Sequence, residues 1–169
     1  MLKQLNTDVL NQLSEAARQS ARHRMNANLH EALEDPIQRL AIAMEPGTLI
    51  RPHRHPQTWE LLTALRGRFV VLNFDEQGFV THRVVLGEGC AVQETPAGVW
   101  HAVLSLDSGG VIFEVKHGPY APFTSENFAP SYADEAMLDS ATLNAWYAQA
   151  QVGDRLWTCP SPTDLFNNG

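Results

Sequence analysis

The spacing of apolar positions changes period along the chain. Over 7–20, Val9, Leu10, Leu13, Ala16 and Ala17 recur at helical spacing, and Thr7 or Asp8 stands where a cap belongs; this predicts a short N-terminal helix. A basic run over 18–24 follows and reads as solvated surface. From Asn26 the period shortens. Asn26, Asn28 and His30 alternate with Ala27, Leu29 and Glu31, and 39–44 alternates weakly until Pro46 and Gly47 break it. Strands are predicted over 48–55, 61–65, 68–74, 79–86, 90–94, 101–105 and 110–116, with turn residues at 66–67, 75–78, 87–89, 96–98 and 107–110. Many short strands with regular turns indicate an all-β core, a sandwich or antiparallel barrel. No helix interrupts them that is long enough for a parallel crossover, which excludes an α/β sheet. Beyond Lys116, Pro119, Pro122 and Pro130 mark a loop, and Met137, Leu138, Ala141, Leu143, Ala145 and Trp146 predict a helix over 134–150. Leu156, Trp157, Leu165 and Phe166 make the tail too apolar to float free. The chain thus divides into an N-terminal helix and basic connector (1–25), a barrel (26–120) and a C-terminal loop, helix and tail (121–169) packing on the barrel or on a partner subunit.

Composition narrows the function classes. The 169 residues suit one domain that buries its own core. A net charge of −7 disfavours a nucleic-acid binder, whose affinity rests on Lys and Arg against phosphate. No apolar run approaches the ~20 residues that span a bilayer. The start lacks the apolar core of a signal peptide, so a cytoplasmic location is expected. Cys90 and Cys159 form no CxxC and read as reduced thiols. The apolar material outside the barrel, with strand edges that need cover, predicts a homodimer.

The chemistry concentrates in 47–60 and 96–101. His53 and His55 are two apart on a predicted strand and point to the same side. Glu60 has the opposite parity and joins them only if the chain turns after Pro56. Pro96-Ala97-Gly98 forms a turn that delivers His101 to the next strand. Three imidazoles and one carboxylate suit one divalent transition metal: Fe, Mn, Ni, Zn or Cu. Arg51 shares the parity of His53 and His55; it either offers its fork to an anionic ligand or pairs with an acid at the rim. Glu114 and Lys116 share a face, as a structural ion pair or with Lys116 as substrate anchor. Asn28 and His30 either line the pocket or satisfy backbone groups at the barrel edge. Tyr120 follows a turn and can lean over the mouth, and Glu94 can support a ligand histidine. Trp59 and Trp100 precede ligands and are expected to pack outward.

These segments resemble the cupin motifs. Gly47, His53, His55, Glu60 and Gly67 match G-(x)5-H-x-H-(x)4-E-(x)6-G throughout. Pro96, Gly98 and His101 match the second motif, while Gly89 lies one residue too far upstream and Ser105 replaces an Asn. The resemblance implies a cupin-type double-stranded β-helix, or jelly roll, with His53, His55, Glu60 and His101 as metal ligands. A closer resemblance, to WbuC-type cupin-fold metalloproteins, rests on 26–30, 46–56, 96–101, 113–116, 118–120 and 128–130. It implies proteins encoded among surface-polysaccharide genes, without a settled reaction. The expected function is a small-molecule metalloenzyme acting on a sugar-like or anionic metabolite, as an isomerase or epimerase. A metal-dependent binding or sensor protein and an Fe(II) oxygenase are the alternatives.

Overall fold

The computed structural model describes residues 2–158; Cys159, Leu165 and Phe166 lie outside them. Helix α1, Thr7–Gln19, is capped one residue earlier than expected, by the Asn6 side chain accepting from the Val9 N–H at 3.0 Å. Eight strands follow: β1 Arg24–Asn28, β2 Ile37–Met44, β3 Glu60–Arg66, β4 Phe69–Phe74, β5 Val80–Leu86, β6 Val92–Thr95, β7 Trp100–Ser105 and β8 Gly110–His117. All pairings between named strands are antiparallel, in a five-stranded sheet of order β1-β2-β8-β3-β6 and a three-stranded sheet of order β5-β4-β7. Among the described residues the hydrogen-bonded ladder does not close around the interior. The expected barrel is therefore two facing sheets.

Met44, Leu62 and Ile112 from the large sheet meet Phe69, Val71, Leu86 and Val103 from the small one, which makes the inner core. Each sheet is also covered outside. Leu13 and Ala17 of α1 pack on Ala41, Ala43 and Val111. The C-terminal segment lays Ala129, Leu143, Tyr147, Ala150 and Trp157 over Val70, Leu72, Phe74, Trp100, Ala102 and Leu104. Much of the apolar material that predicted a homodimer is thus packed within the chain.

Three regions differ from expectation. The 48–55 segment is not a strand: Pro52 and Pro56 remove N–H donors a ladder needs, and only His53 bridges, to His101 and Phe128. Conversely β2 is a full strand, although its alternation is weak. Its inward Leu40, Ile42 and Met44 face the interior while its outward Ala41 and Ala43 lie under α1, so both faces are apolar. The helix expected over 134–150 is two pieces, a 3-10 turn Glu135–Met137 and α2 Ser140–Gln149. Asp134 caps the first, accepting from the Ala136 N–H, and Asp139 caps the second, accepting from the Ala141 N–H, each at 3.1 Å.

Candidate metal centre

The four motif residues converge at one end of the space between the sheets. The 47–59 loop carries His53 and His55, β3 begins with Glu60 and β7 carries His101. The turn ahead of β7 needs a left-handed residue, and Gly98 supplies it at φ 79°. His53 is tied to the far sheet by paired backbone bonds, its N–H to the His101 carbonyl at 2.9 Å and the reverse at 2.8 Å. Glu60 reaches the histidines despite its parity because the chain turns between Pro56 and β3. The potential ligand atoms of the four residues all lie within 4.8 Å of one another.

The hydrogen bonds behind the rings select the tautomer that binds metal. His53 Nδ1 lies 2.8 Å from the Arg51 carbonyl, and His101 Nδ1 lies 3.0 Å from the Val99 carbonyl. A carbonyl only accepts, so each Nδ1 carries a hydrogen, and in the neutral ring each Nε2 keeps a free lone pair. Glu60 Oε1 is 3.2 Å from His55 Nε2, and Oε2 is 3.1 Å from His101 Nε2. The second contact is close but lacks hydrogen-bond geometry, which leaves His101 Nε2 buried without a hydrogen-bond partner among the described residues. A buried, unpartnered nitrogen beside a carboxylate is what a ligand set looks like around an ion, and the donor set fits a divalent transition metal.

Electrostatics agree with that fit for His53, His55 and Glu60. Burial first, and the neighbouring imidazoles second, hold His53 well below its ordinary pKa, so it is neutral and able to ligate. Burial also lowers His55, against the pull of Glu60. Burial by itself raises the Glu60 pKa, but His101 and His55 outweigh it and keep the carboxylate ionised. Burial by itself lowers the His101 pKa, but Glu60 outweighs it and the pKa rises, so an ion bound at His101 Nε2 competes there with a proton.

A cavity of about 300 Å³ opens on the cluster, at the small end for ligand sites. Leu40, Ile42, Met44, Leu62, Val103 and Ile112 form its inner walls, with Leu49 and Ile50 beside them. Glu114 and Lys116 line it next to Glu60, their charged atoms 2.6 Å apart. Burial and the Glu60 charge push Glu114 up to about 7, against the opposing pull of Lys116. Phe123 stacks 5.3 Å from His55 and meets His53 edge-on at 5.2 Å.

The other expected site residues divide. Arg51 lines the cavity, but its guanidinium is engaged: it donates to the Tyr132 and Ala133 carbonyls at 3.3 and 2.6 Å, sits 3.6 Å from Glu135, and lies 3.5 Å over the Phe128 ring. Tyr120 lines the cavity and is 50% exposed. Asn28 and His30 stand outside the cavity lining. Asn28 accepts from the Asn26 amide at 2.8 Å, and His30 Nδ1 accepts from the Arg39 N–H at 2.9 Å, the backbone-satisfying alternative. Glu94 is exposed, opposite Leu61 in the ladder. Trp100 packs outward as expected, and Trp59 lies 5.3 Å from His117. Sequence reasoning missed Phe123, Phe128, Arg22 and Arg24 as lining residues. The parity that Arg24 shares with Asn26 was one available signal and the 128–130 segment of the family resemblance was one for Phe128; Phe123 lies in irregular chain and gave none.

A family model described as a domain of unknown function (DUF6016) matches residues 5–86. No curated protein matches the chain. Among solved structures, TT1209 from Thermus thermophilus is 19% identical, with a TM-score of 0.51 over 69% of this chain and 95% of that one. A deletion mutant of Bacillus subtilis oxalate decarboxylase OxdC is 19% identical, TM-score 0.50, over 74% of this chain and 32% of that one. An L-ribose isomerase from Acinetobacter sp. DL28 is 12% identical, TM-score 0.50, over 66% and 72%. At these identities the likeness is one of fold alone: two facing antiparallel sheets of the cupin type. Among the described residues no helix is long and apolar enough to cross a membrane.

Proposed function

We propose that this chain is a metal-dependent enzyme, of the WbuC-type cupins it resembles, that acts on a small anionic metabolite. The observation that carries the reading is the pair of Nδ1–H···O=C bonds, which turn two imidazole lone pairs toward an ionised, buried Glu60 at the end of an open cavity. A divalent ion held by His53, His55, Glu60 and His101 would supply Lewis-acid polarisation of a substrate oxygen. Lys116 Nζ, beside Glu114, has hydrogens left to donate to that oxygen. Phe123 covers the His53 and His55 rings and keeps water from them. The apolar inner walls offer few partners for the hydroxyls of a free sugar, while the cations that line the cavity favour an anionic substrate.

Elemental analysis of protein purified without a histidine tag is the test. About one equivalent of a divalent transition metal is expected, and none in a folded His55→Ala variant. Full occupancy in that variant would overturn the reading.

A further inference from the structure

The inner face of the large sheet is graded along its strands. Ladder register aligns Lys116 with Glu60, Glu114 with Leu62 and Leu40, Ile112 with Ile42 and Ala64, and Gly110 with Met44, which pairs with Arg24. From the metal end the lining therefore runs from charged, through apolar, to Arg24. From Lys116 to Gly110 is six residues along β8, or about 20 Å of backbone. Arg24, Arg22 and Arg51 all line this cavity, in a chain whose net charge is −7. Arg51 is taken by the C-terminal carbonyls and Glu135. Arg24 donates only to the Leu49 carbonyl, at 3.1 Å, and among the described residues neither Arg22 nor Arg24 has a carboxylate within 4.0 Å. Glu135 also lines the cavity but pairs with Arg51, so three guanidinium groups share one nearby carboxylate, and such crowded cations beside apolar walls are stabilised by an anion that enters.

We infer that Arg22 and Arg24 form an anion subsite at the cavity mouth, and that the substrate is an elongated amphiphile. Its oxygen-bearing head lies at His53, His55, Glu60 and His101. Its medium-length apolar middle lies along Leu40, Ile42, Met44 and Ile112. Its terminal carboxylate or phosphate meets the two guanidinium groups. This rests on the metal-site reading above, because the head needs the metal, while the tail subsite stands on the two arginines.

The test begins with Co2+ titration of the metal-stripped protein. Failure to bind Co2+ overturns the metal site itself. With Co2+ bound, octanoate, octanedioate and the matching ω-phosphonate are compared by calorimetry. All three share head and chain, and the last two add a terminal charge. At least one of the two is expected to bind about tenfold tighter than octanoate, and which one gains identifies the tail group. In an Arg22→Gln/Arg24→Gln variant that binds Co2+ normally, octanoate affinity is expected to hold and the tenfold gain to vanish. Equal binding of all three by the parent protein, or a gain that survives in the double variant, overturns the subsite.

Discussion

The two faces of the three-stranded sheet do different work with alternating residues of the same strands. On β7, Trp100 points outward under Trp157, while the next residue, His101, points inward to Glu60. On β4, Leu72 and Phe74 lie under the C-terminal segment, while Asn73, paired with His101 in the ladder, faces in and binds Thr95 and Gln93. The outer face is closed by aromatic rings and is rich in dispersion contacts. The inner face is apolar at one end and at the other presents His101 and Asn73 towards Glu60, Gln93 and Thr95 of the large sheet. Period-two alternation lets one strand carry both layers. Stability and chemistry are therefore separable at adjacent positions, which is open to direct attack by substitution.

The largest effect is expected from Trp100→Ala. Trp100 is 4% exposed; it packs with Trp157 at a 6.1 Å ring separation, lies 4.1 Å beneath the Arg54 guanidinium and donates to Glu76 at 3.1 Å. Truncation leaves a cavity beneath the C-terminal segment and costs about 4 kcal/mol by denaturant unfolding. The folded fraction is expected to keep its metal, because the removed ring faces away from the ligands. Loss of metal with unchanged stability would invert the comparison.

Its inward neighbour behaves in the opposite way. His101→Gln keeps a polar group for Glu60 but deletes the Nε2 lone pair. Co2+ affinity is expected to fall by at least about 100-fold, beyond the 10–100-fold typical of residues that merely support a ligand. The stripped variant is expected to unfold within about 1.5 kcal/mol of the stripped parent. A wild-type Co2+ spectrum and affinity in this variant would remove His101 from the ligand set.

The contrast also explains what the sequence revealed. His53, His55, Glu60 and His101 were legible because metal coordination constrains residue type and spacing within two short segments. The strands over 61–116 were legible because their turns are punctuated by glycine and proline. One such turn is at Gly67, held at φ 73° with Gly110 so near that a side chain would crowd it. Strand β2 was faint because apolar layers cover both its faces, which erases alternation. The mouth was least legible. Phe123, Phe128 and the carbonyls that hold Arg51 come from irregular chain that carries no period, and tertiary packing alone brings them to the cavity. Arg24 was read as solvated surface because a basic run looks the same whether or not it borders a cavity.

The smallest effect tests whether the two layers communicate. Tyr147, on α2 in the outer layer, is 1% exposed, and its hydroxyl donates to the Ile50 carbonyl at 3.1 Å, three residues before His53. Tyr147→Phe leaves that carbonyl without the bond and is expected to cost about 1 kcal/mol near pH 8. If the layers are independent, Co2+ binding shifts by no more than about 0.5 kcal/mol. Burial, aided by Tyr132, holds the Tyr147 pKa well above its ordinary value. The unfolded chain ionises this group near pH ~10 and the folded one does not. The stability that depends on a neutral Tyr147 is thus complete below about pH 10 and is lost as pH rises beyond it. Phenylalanine has no such proton to lose. The parent's advantage over Tyr147→Phe is therefore expected to shrink as urea midpoints are followed from pH ~8 to ~11. A constant gap across that range would mean that Tyr147 ionises in the folded protein as it does in water. A marked loss of Co2+ affinity would mean that the outer layer positions the metal loop through the Ile50 carbonyl.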